Sequence, residues 1–396
     1  MIINSVHGSS REAPQESSLF YHQDEVVPFV LDEELYEDLE QAIKYSRFTT
    51  PQETDIQELI SVSHQAKTPP TAGSGRFPNI GQTCYMNSSL QSLLTLENFV
   101  KDFQRQKQVW CSAFDAQLIR KFMRIRDART STDSYNKMRL LQSFKGEISV
   151  KAPEFRGCEQ NDAHEFLTSI LNQIWTLSPL LQDIAAYMGT GYTCPVESNL
   201  VFRVENIRTC KSCGTQSRRQ EVLTNLSLDL VPGGCVGDMI QEYHKETMLE
   251  YKCECGGRTS CQRSYFKTLP KVLILHLKRF CFTSSYKLRK VQDSIKLERD
   301  LVVSSKEDEA CYSLVSVVSH LGNCGEAGHY ICDGVHPDDH PDEPSDHWLT
   351  FNDAEISGTT GGSVCEQRKQ TAYILFYKKQ SGECLVLEGS TPESFH

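Results

Sequence analysis

The chain has 396 residues, of which 39% are hydrophobic and 23% charged, with a formal net charge of −11. That length holds one large catalytic domain with an appendage, or two domains, and the composition is that of a soluble globular protein. The acidic balance argues against nucleic acid or an anionic membrane surface as main partner, and no apolar run approaches the roughly 20 residues of a membrane span. The opening residues Met1–Gly8 lack the basic start and apolar core of a secretory signal. Sixteen cysteines in so large a chain, several of them paired at metal-ligand spacing, do not read as a disulfide framework. A reducing compartment, cytoplasm or nucleus, is expected.

Taken in order, residues 1 to about 30 are polar and expected to be disordered, with Val26–Leu31 a weak edge-strand signal. Over about 33–47, Leu35, Leu39, Ala42, Ile43 and Ser46 share one helical face, and acids gather at the N-terminal end where the dipole favours them. A Pro- and Gly-bearing linker, Lys67–Gly75, closes an N-terminal arm over 1–75. The main domain is expected over 76–380 and a tail over 381–396. Helical patterns dominate to about residue 190. From about 195, short stretches rich in Val, Ile, Leu and Tyr follow: Leu200–Val204, Leu223–Leu230, Val272–Phe280, Tyr312–His320, His329–Asp333 and Ala372–Tyr377. A helical half followed by an antiparallel half predicts an α+β enzyme with a cleft between the two.

Chemistry concentrates at Cys84. A Gly-containing turn precedes it, and Met86, Leu90, Leu93 and Leu94 after it repeat at the spacing of one helix face. A cysteine at a helix N-terminus is stabilised as thiolate, which suits a nucleophile; the other reading is a cysteine buried in a core. A thiolate needs a base, and His329 stands after a glycine-bearing turn at the mouth of a strand. Further on, Asn352 or Asp353 can accept the imidazole N–H and set its tautomer. His276, within an apolar run, reads as structural, and His336, His340 and His347 as solvated. Ala163, Leu167, Ile170, Leu171 and Ile174 mark a packed helix with Gln160 and Asp162 near its first turn. Cys210 and Cys213, then Cys253 and Cys255, look like the two knuckles of a four-thiolate zinc site, each pair followed by glycine. The second knuckle is Cys-x-Cys in place of Cys-x-x-Cys, so Cys261 is an alternative ligand, and four reduced thiols without metal are the other reading.

Five segments in one order resemble the ubiquitin-specific protease family. Asn79–Gln91 is similar to its cysteine box, and Gly157–Leu167 to its glutamine- and aspartate-bearing segment. Leu273–Phe280 resembles its central strand, Gly328–Tyr330 with Trp348–Asp353 its histidine box, and Ala372–Lys378 its closing strand. The resemblance implies a papain-like fold with a helical thumb, a β-rich palm and zinc-ribbon-like fingers. It implies Cys84 as nucleophile, His329 as general base, Asn352 as the third triad member, Asp353 as a second acidic residue and Asn79 as oxyanion donor. Gln160 and Asp162 would line the channel for an extended substrate tail. Gln82 departs from the family's common Asn, and Asn161 from its common Gln.

The implied activity is a thiol-dependent deubiquitinase that cuts the isopeptide bond after the C-terminal Gly of ubiquitin through a Cys84 thioester. Structural zinc is the implied cofactor, with no catalytic one. The expected partners are ubiquitin, polyubiquitin chains and ubiquitinated proteins, for a chain expected to be monomeric. The arm's face of Leu39, Ala42 and Ser46 resembles a ubiquitin-interacting motif; a solvated helix packed on its own domain is the other reading. The competing functions are a ubiquitin-binding adaptor with little turnover and a general papain-like peptidase.

Overall fold

The computed structural model describes residues 75–282, 286, 288–323, 327–336 and 346–380. The arm's expected helix with Leu39, Ala42 and Ser46, the tail over 381–396 and His340 lie outside the described residues.

The helical half contains α1 (Cys84–Thr95), α2 (Glu97–Arg105), α3 (Lys107–Ser112), α4 (Gln117–Asp127), α5 (Ser134–Lys151), α6 (Ala163–Trp175), α7 (Ser178–Tyr187) and α8 (Pro195–Leu200). It runs ten residues further than the apolar pattern suggests. Pro195 occupies the first turn of α8, where its fixed φ is favourable and its missing N–H costs nothing, so Leu200 ends a helix rather than starting a strand. The strands are β1 (Phe202–Cys210), β2 (Gln216–Leu223), β3 (Leu226–Leu228), β4 (Thr247–Glu250), β5 (Thr259–Phe266), β6 (Val272–Leu277), β7 (Phe280–Phe282) and β8 (Leu288–Lys290). They continue with β9 (Asp300–Ser304), β10 (Glu309–Leu321), β11 (His329–Val335), β12 (Trp348–Asn352), β13 (Glu355–Thr359) and β14 (Ala372–Lys379), with helices α9 (Val236–Tyr243) and α10 (Gly361–Gln367) set between them.

The large sheet has the order β13-β12-β11-β10-β14-β6-β3, with β9 also on β10. Its pairs are antiparallel except β3 with β6, which run parallel. A second sheet, β2-β1-β5-β4, projects as a separate four-stranded layer. One core joins the helices to one face of the large sheet through residues such as Phe99, Phe122, Phe166 and Ile374, and a second core covers the other face around Leu275, Tyr312 and Tyr377.

Helix α1 lies at the centre of the first core, against β10, β11 and α6. The expected one-sided apolar stripe is there, but Cys84 through Leu94 are all buried. Its polar face is therefore buried too, and the hydroxyls of Ser89 and Ser92 are paired internally. Ser89 Oγ donates to Tyr85 O at 2.8 Å, and Ser316 Oγ donates to Ser92 Oγ at 3.0 Å. Paired this way, hydroxyls can sit in a core without a large desolvation penalty. The approach to β11 is close, because a side chain at Gly334 would meet Thr95 Oγ1 at 3.0 Å. Thirteen of the described cysteines are free; Cys311 on β10 is disulfide-bonded, an exception to the reduced reading.

Candidate active site

Cys84 is the first residue of α1 and is 2% exposed. No side chain caps this helix at Thr83, so the unpaired N–H groups of its first turn, with the helix dipole, surround the thiol with partial positive charge. Facing it, His329 opens β11. His329 Nε2 is 2.6 Å from Asn352 Oδ1, which fixes Nε2 as the donor and leaves Nδ1 for the sulfur. Burial alone would lower the imidazole. The hydrogen bond and charge of Cys84, the Asp353 carboxylate and Asn352 outweigh it and raise the group to about 9.

Asn352 and Asp353 divide the work that the sequence left open between them. Asn352 ends β12 and takes the imidazole, while Asp353 Oδ2 lies 4.0 Å from His329 Nε2. Asn352 pairs with Glu355 across a two-residue hairpin turn, and Asp353 at its first position has φ +51°. Asp accepts this left-handed backbone better than most residues, and the turn swings its carboxylate back over the start of α1. There Asp353 Oδ2 accepts from Asn79 Nδ2 at 2.9 Å and Oδ1 from Asn87 Nδ2 at 2.7 Å.

Asn79 is also the organiser of the loop before Cys84. Its Oδ1 accepts from Gly81 N at 3.2 Å, Thr83 N at 3.0 Å and Thr83 Oγ1 at 3.3 Å. The carbonyl end serves the turn, as the turn-forming reading expects, and the amide end donates to Asp353. Within this loop Gln82 has φ +47°, a conformation that Asn tolerates better than Gln.

Gln160 and Asp162 flank the cleft from the α6 side. Gln160 grips Gly328, the residue before His329: its Nε2 donates to Gly328 O and its Oε1 accepts from Gly328 N at 3.1 Å. The same Nε2 is 4.0 Å from Cys84 Sγ. A side chain at 328 would run into His320 Nε2 at 2.2 Å, so only glycine fits this approach. Asp162 caps α6 by accepting from His164 N at 2.8 Å and Glu165 N at 3.0 Å. Its other oxygen accepts from Tyr330 Oη at 3.2 Å and Tyr373 Oη at 2.6 Å. Asp162 therefore caps α6, as the helix-initiating reading expects, and also ties that helix to β11 and β14.

Far along the chain from this cleft, Cys210, Cys213, Cys253 and Cys255 converge with all four Sγ atoms within 4.8 Å of one another. Cys210 and Cys255 are 3.7 Å apart, and Cys213 and Cys253 3.8 Å. A tetrahedral zinc with Zn–S near 2.3 Å places its sulfurs about 3.8 Å apart, so this set fits such an ion. Gly214 and Gly256 follow the pairs at φ +74° and +86°, a backbone that keeps each turn tight. Cys261 is not part of the cluster; its Sγ donates to Thr209 O at 3.7 Å.

A family model described as ubiquitin carboxyl-terminal hydrolase matches residues 76–377. The chain belongs to that family. Among curated relatives, ubiquitin carboxyl-terminal hydrolase 37 of Homo sapiens is 37% identical over 252 residues, covering 58% of this chain and 26% of that protein. Ubiquitin carboxyl-terminal hydrolase 29 of Mus musculus is 33% identical over 246 residues, covering 58% and 28%. The chain therefore spans about a quarter of the length of these relatives. Of solved structures, the SAGA Ubp8/Sgf11/Sus1/Sgf73 DUB module bound to ubiquitin aldehyde matches with a TM-score of 0.64 and 22% identity, covering 83% of this chain and 74% of that one. At that identity the likeness speaks for the fold, the α+β, papain-like arrangement of the ubiquitin-specific protease type.

Several residues of this hydrolase cleft escape a sequence reading. Asn87 lies three positions after Cys84, hence on the same side of α1, and that spacing was the available signal. Tyr373 and His320 carry no such signal, since β14 and β10 are brought beside β11 only through strand pairing. Burial first, then the charges of His164 and Lys278, lowers His276 to about 3; burial, Lys290 and His329 do the same to His320. Both stay neutral where His329 is charged, so neither competes with it as a cation beside Cys84.

Proposed function

We propose that the chain is a cysteine deubiquitinase that hydrolyses the isopeptide bond between the C-terminal Gly of ubiquitin and a lysine amine. The observation that carries this reading is the line Cys84–His329–Asn352, a thiol at a helix N-terminus facing an imidazole oriented from its far nitrogen. The Cys84 thiolate attacks the carbonyl carbon of the terminal Gly, and the electron pair moves onto oxygen. The first-turn N–H groups of α1 and the second N–H of Asn79 receive that negative charge; losing one such donor typically costs on the order of 10²–10³ in turnover. The C–N bond then breaks as His329 delivers its proton to the departing amine. In the second half His329 takes a proton from water, the hydroxyl adds to the thioester, and the thiolate leaves as the ubiquitin carboxylate forms.

Asn352 keeps the imidazole in the tautomer that faces sulfur throughout. Gln160, Asp162, Tyr330 and Tyr373 form the wall along which a tail ending in two glycines would lie. We infer further that Cys210, Cys213, Cys253 and Cys255 hold a structural zinc, which supplies cross-linking of β1 and β2 to the β4–β5 connection and no reaction step. Ubiquitin itself, its chains and conjugated proteins are the proposed partners, and the arm's Leu39, Ala42 and Ser46 a proposed further ubiquitin contact.

The test is exposure of the purified chain to ubiquitin bearing a C-terminal thiol-reactive group, read by intact mass. Wild type should gain one ubiquitin and Cys84→Ala none. No adduct on wild type, or an adduct on Cys84→Ala, overturns the reading, and ubiquitin binding without cleavage of any linked chain supports an adaptor instead.

A further inference from the structure

One side chain next to the nucleophile is used by none of these steps. Asn87 lies one turn after Cys84, is 2% exposed, and is surrounded by the first core. Both hydrogens of its amide are spent: Nδ2 donates to Asp353 Oδ1 at 2.7 Å and to Pro78 O at 3.2 Å. Its Oδ1, in contrast, is buried without a hydrogen-bond partner among the described residues. A buried amide with an orphaned acceptor is a poor way to stabilise a helix, because the desolvated oxygen recovers nothing. The position is therefore selected for its two donors.

Those donors reach the two segments that carry the reacting groups. Asp353 follows Asn352, which holds His329, and Pro78 precedes Asn79. Asp353 in turn receives the Asn79 amide on its other oxygen at 2.9 Å. Backbone continues the same seam, with Phe77 N donating to Asp353 O at 3.2 Å. Without Asn87, Asp353 would keep a left-handed φ of +51° and a carboxylate over the start of α1 with one anchor fewer.

We propose that Asn87 is a positioning residue of the deubiquitination reaction, tying Asp353 and the Pro78–Asn79 turn to the helix that carries Cys84, so that the oxyanion donor stays in register with the thiolate. The inference rests on the reading given under Proposed function and goes beyond the residues that reading employs.

The test pairs Asn87→Asp with the exchange Asn87→Asp/Asp353→Asn, measured on a ubiquitin–fluorophore conjugate. Asn87→Asp removes both donors and sets one carboxylate against another. A register loss of this kind can cost about 100-fold, so kcat should fall by at least that factor while KM stays within about threefold. Alkylation of Cys84 by iodoacetamide, which needs no oxyanion donor, should stay within about threefold of wild type, a readout that a merely structural loss would move. The exchange variant restores a donor–acceptor pair between positions 87 and 353 and should regain at least about tenfold in kcat, the signature of direct coupling.

Near-wild-type kcat in Asn87→Asp, or a loss that the exchange does not reduce, overturns the proposal. If Asn87→Asp does not fold, Asn87→Ala takes its place, with kcat falling against a steady KM as the supporting result and unchanged kcat as the opposing one. A wild type without turnover overturns the underlying reading, and the inference with it, whereas an active wild type with an indifferent position 87 overturns the inference alone.

Discussion

The cleft and the four-cysteine cluster are both built from thiols, yet they are held in opposite ways. Around Cys84 the anchors are packed helices, paired strands and hydrogen bonds between them, and α1 has no solvent face along Cys84–Leu94. At the cluster Cys213 and Cys255 are exposed, and β2 is exposed from Gln216 through Gln220 and has no buried position. The β2-β1-β5-β4 sheet brings Phe202, Val204 and Phe266 into a core only at its base. Apart from Cys210 and Cys261 the outer end buries no apolar side chain among the described residues, so thiolate–metal bonds would add to strand pairing in ordering it. Geometry set by burial survives loss of a ligand ion; geometry set by ligation does not.

The sharpest break of this contrast is at the nucleophile. Cys84→Ala should lower turnover of a ubiquitin–fluorophore conjugate on the order of 10⁵-fold or more while leaving the melting temperature nearly unchanged, since burial and not the thiol holds α1. A large drop in melting temperature would mean that the sulfur also carries packing.

The next effect is the pH dependence. His329 is raised from near 6.5 to about 9, so stabilisation from its charged form is complete below 6.5 and is lost as pH rises through about 9. Turnover should therefore hold to about pH 9 and then fall by up to roughly tenfold per unit, as the imidazolium that pairs with the thiolate disappears. In Asn352→Ala the falling limb should move to lower pH, and an unmoved limb would separate Asn352 from the tautomer it is assigned.

Removing metal probes the other region. Chelation, or Cys213→Ser, should raise KM for ubiquitin substrates roughly tenfold, equivalent to about 1.4 kcal/mol of lost binding, with iodoacetamide alkylation of Cys84 unchanged. If alkylation changes as well, the two regions are coupled and the contrast fails. Elemental analysis of metal-replete protein should give one zinc per chain.

Two smaller substitutions refine the cleft itself. Asp162→Ala removes the cap of α6 and should destabilise the fold by about 1 kcal/mol in denaturant unfolding, with a further loss in turnover from the freed Tyr330 and Tyr373. Gln82→Asn relieves a side chain poorly suited to φ +47° and should stabilise by a few tenths of a kcal/mol up to about 1 kcal/mol. Destabilisation instead would show that the Gln82 side chain makes a contact that offsets the strain.

Much of the chemistry was legible in one dimension because reactive groups sit beside local punctuation. Cys84 starts a helix after a Gly turn, Asp162 caps one, His329 opens a strand, and each cysteine pair is closed by a glycine. What misled was periodicity at boundaries and in the deepest elements. Pro195–Leu200 read as part of a strand region, and α1 read as one-sided, because Ser, Asn and Gln look solvent-facing until a partner across the core is known.

The sequence by itself marked Cys84, His329, the two cysteine pairs and the helix-then-strand order, since each depends on neighbours within a few residues or on residue chemistry alone. Only the tertiary structure decided that the Asp353 carboxylate takes the amides of Asn79 and Asn87, that Cys255 rather than Cys261 completes the cluster, and that Gln160 grips Gly328. Those choices are separations of a few ångströms between segments far apart in the chain. They are settled by strand register and by the packing of α1 against β11, and no local pattern encodes either.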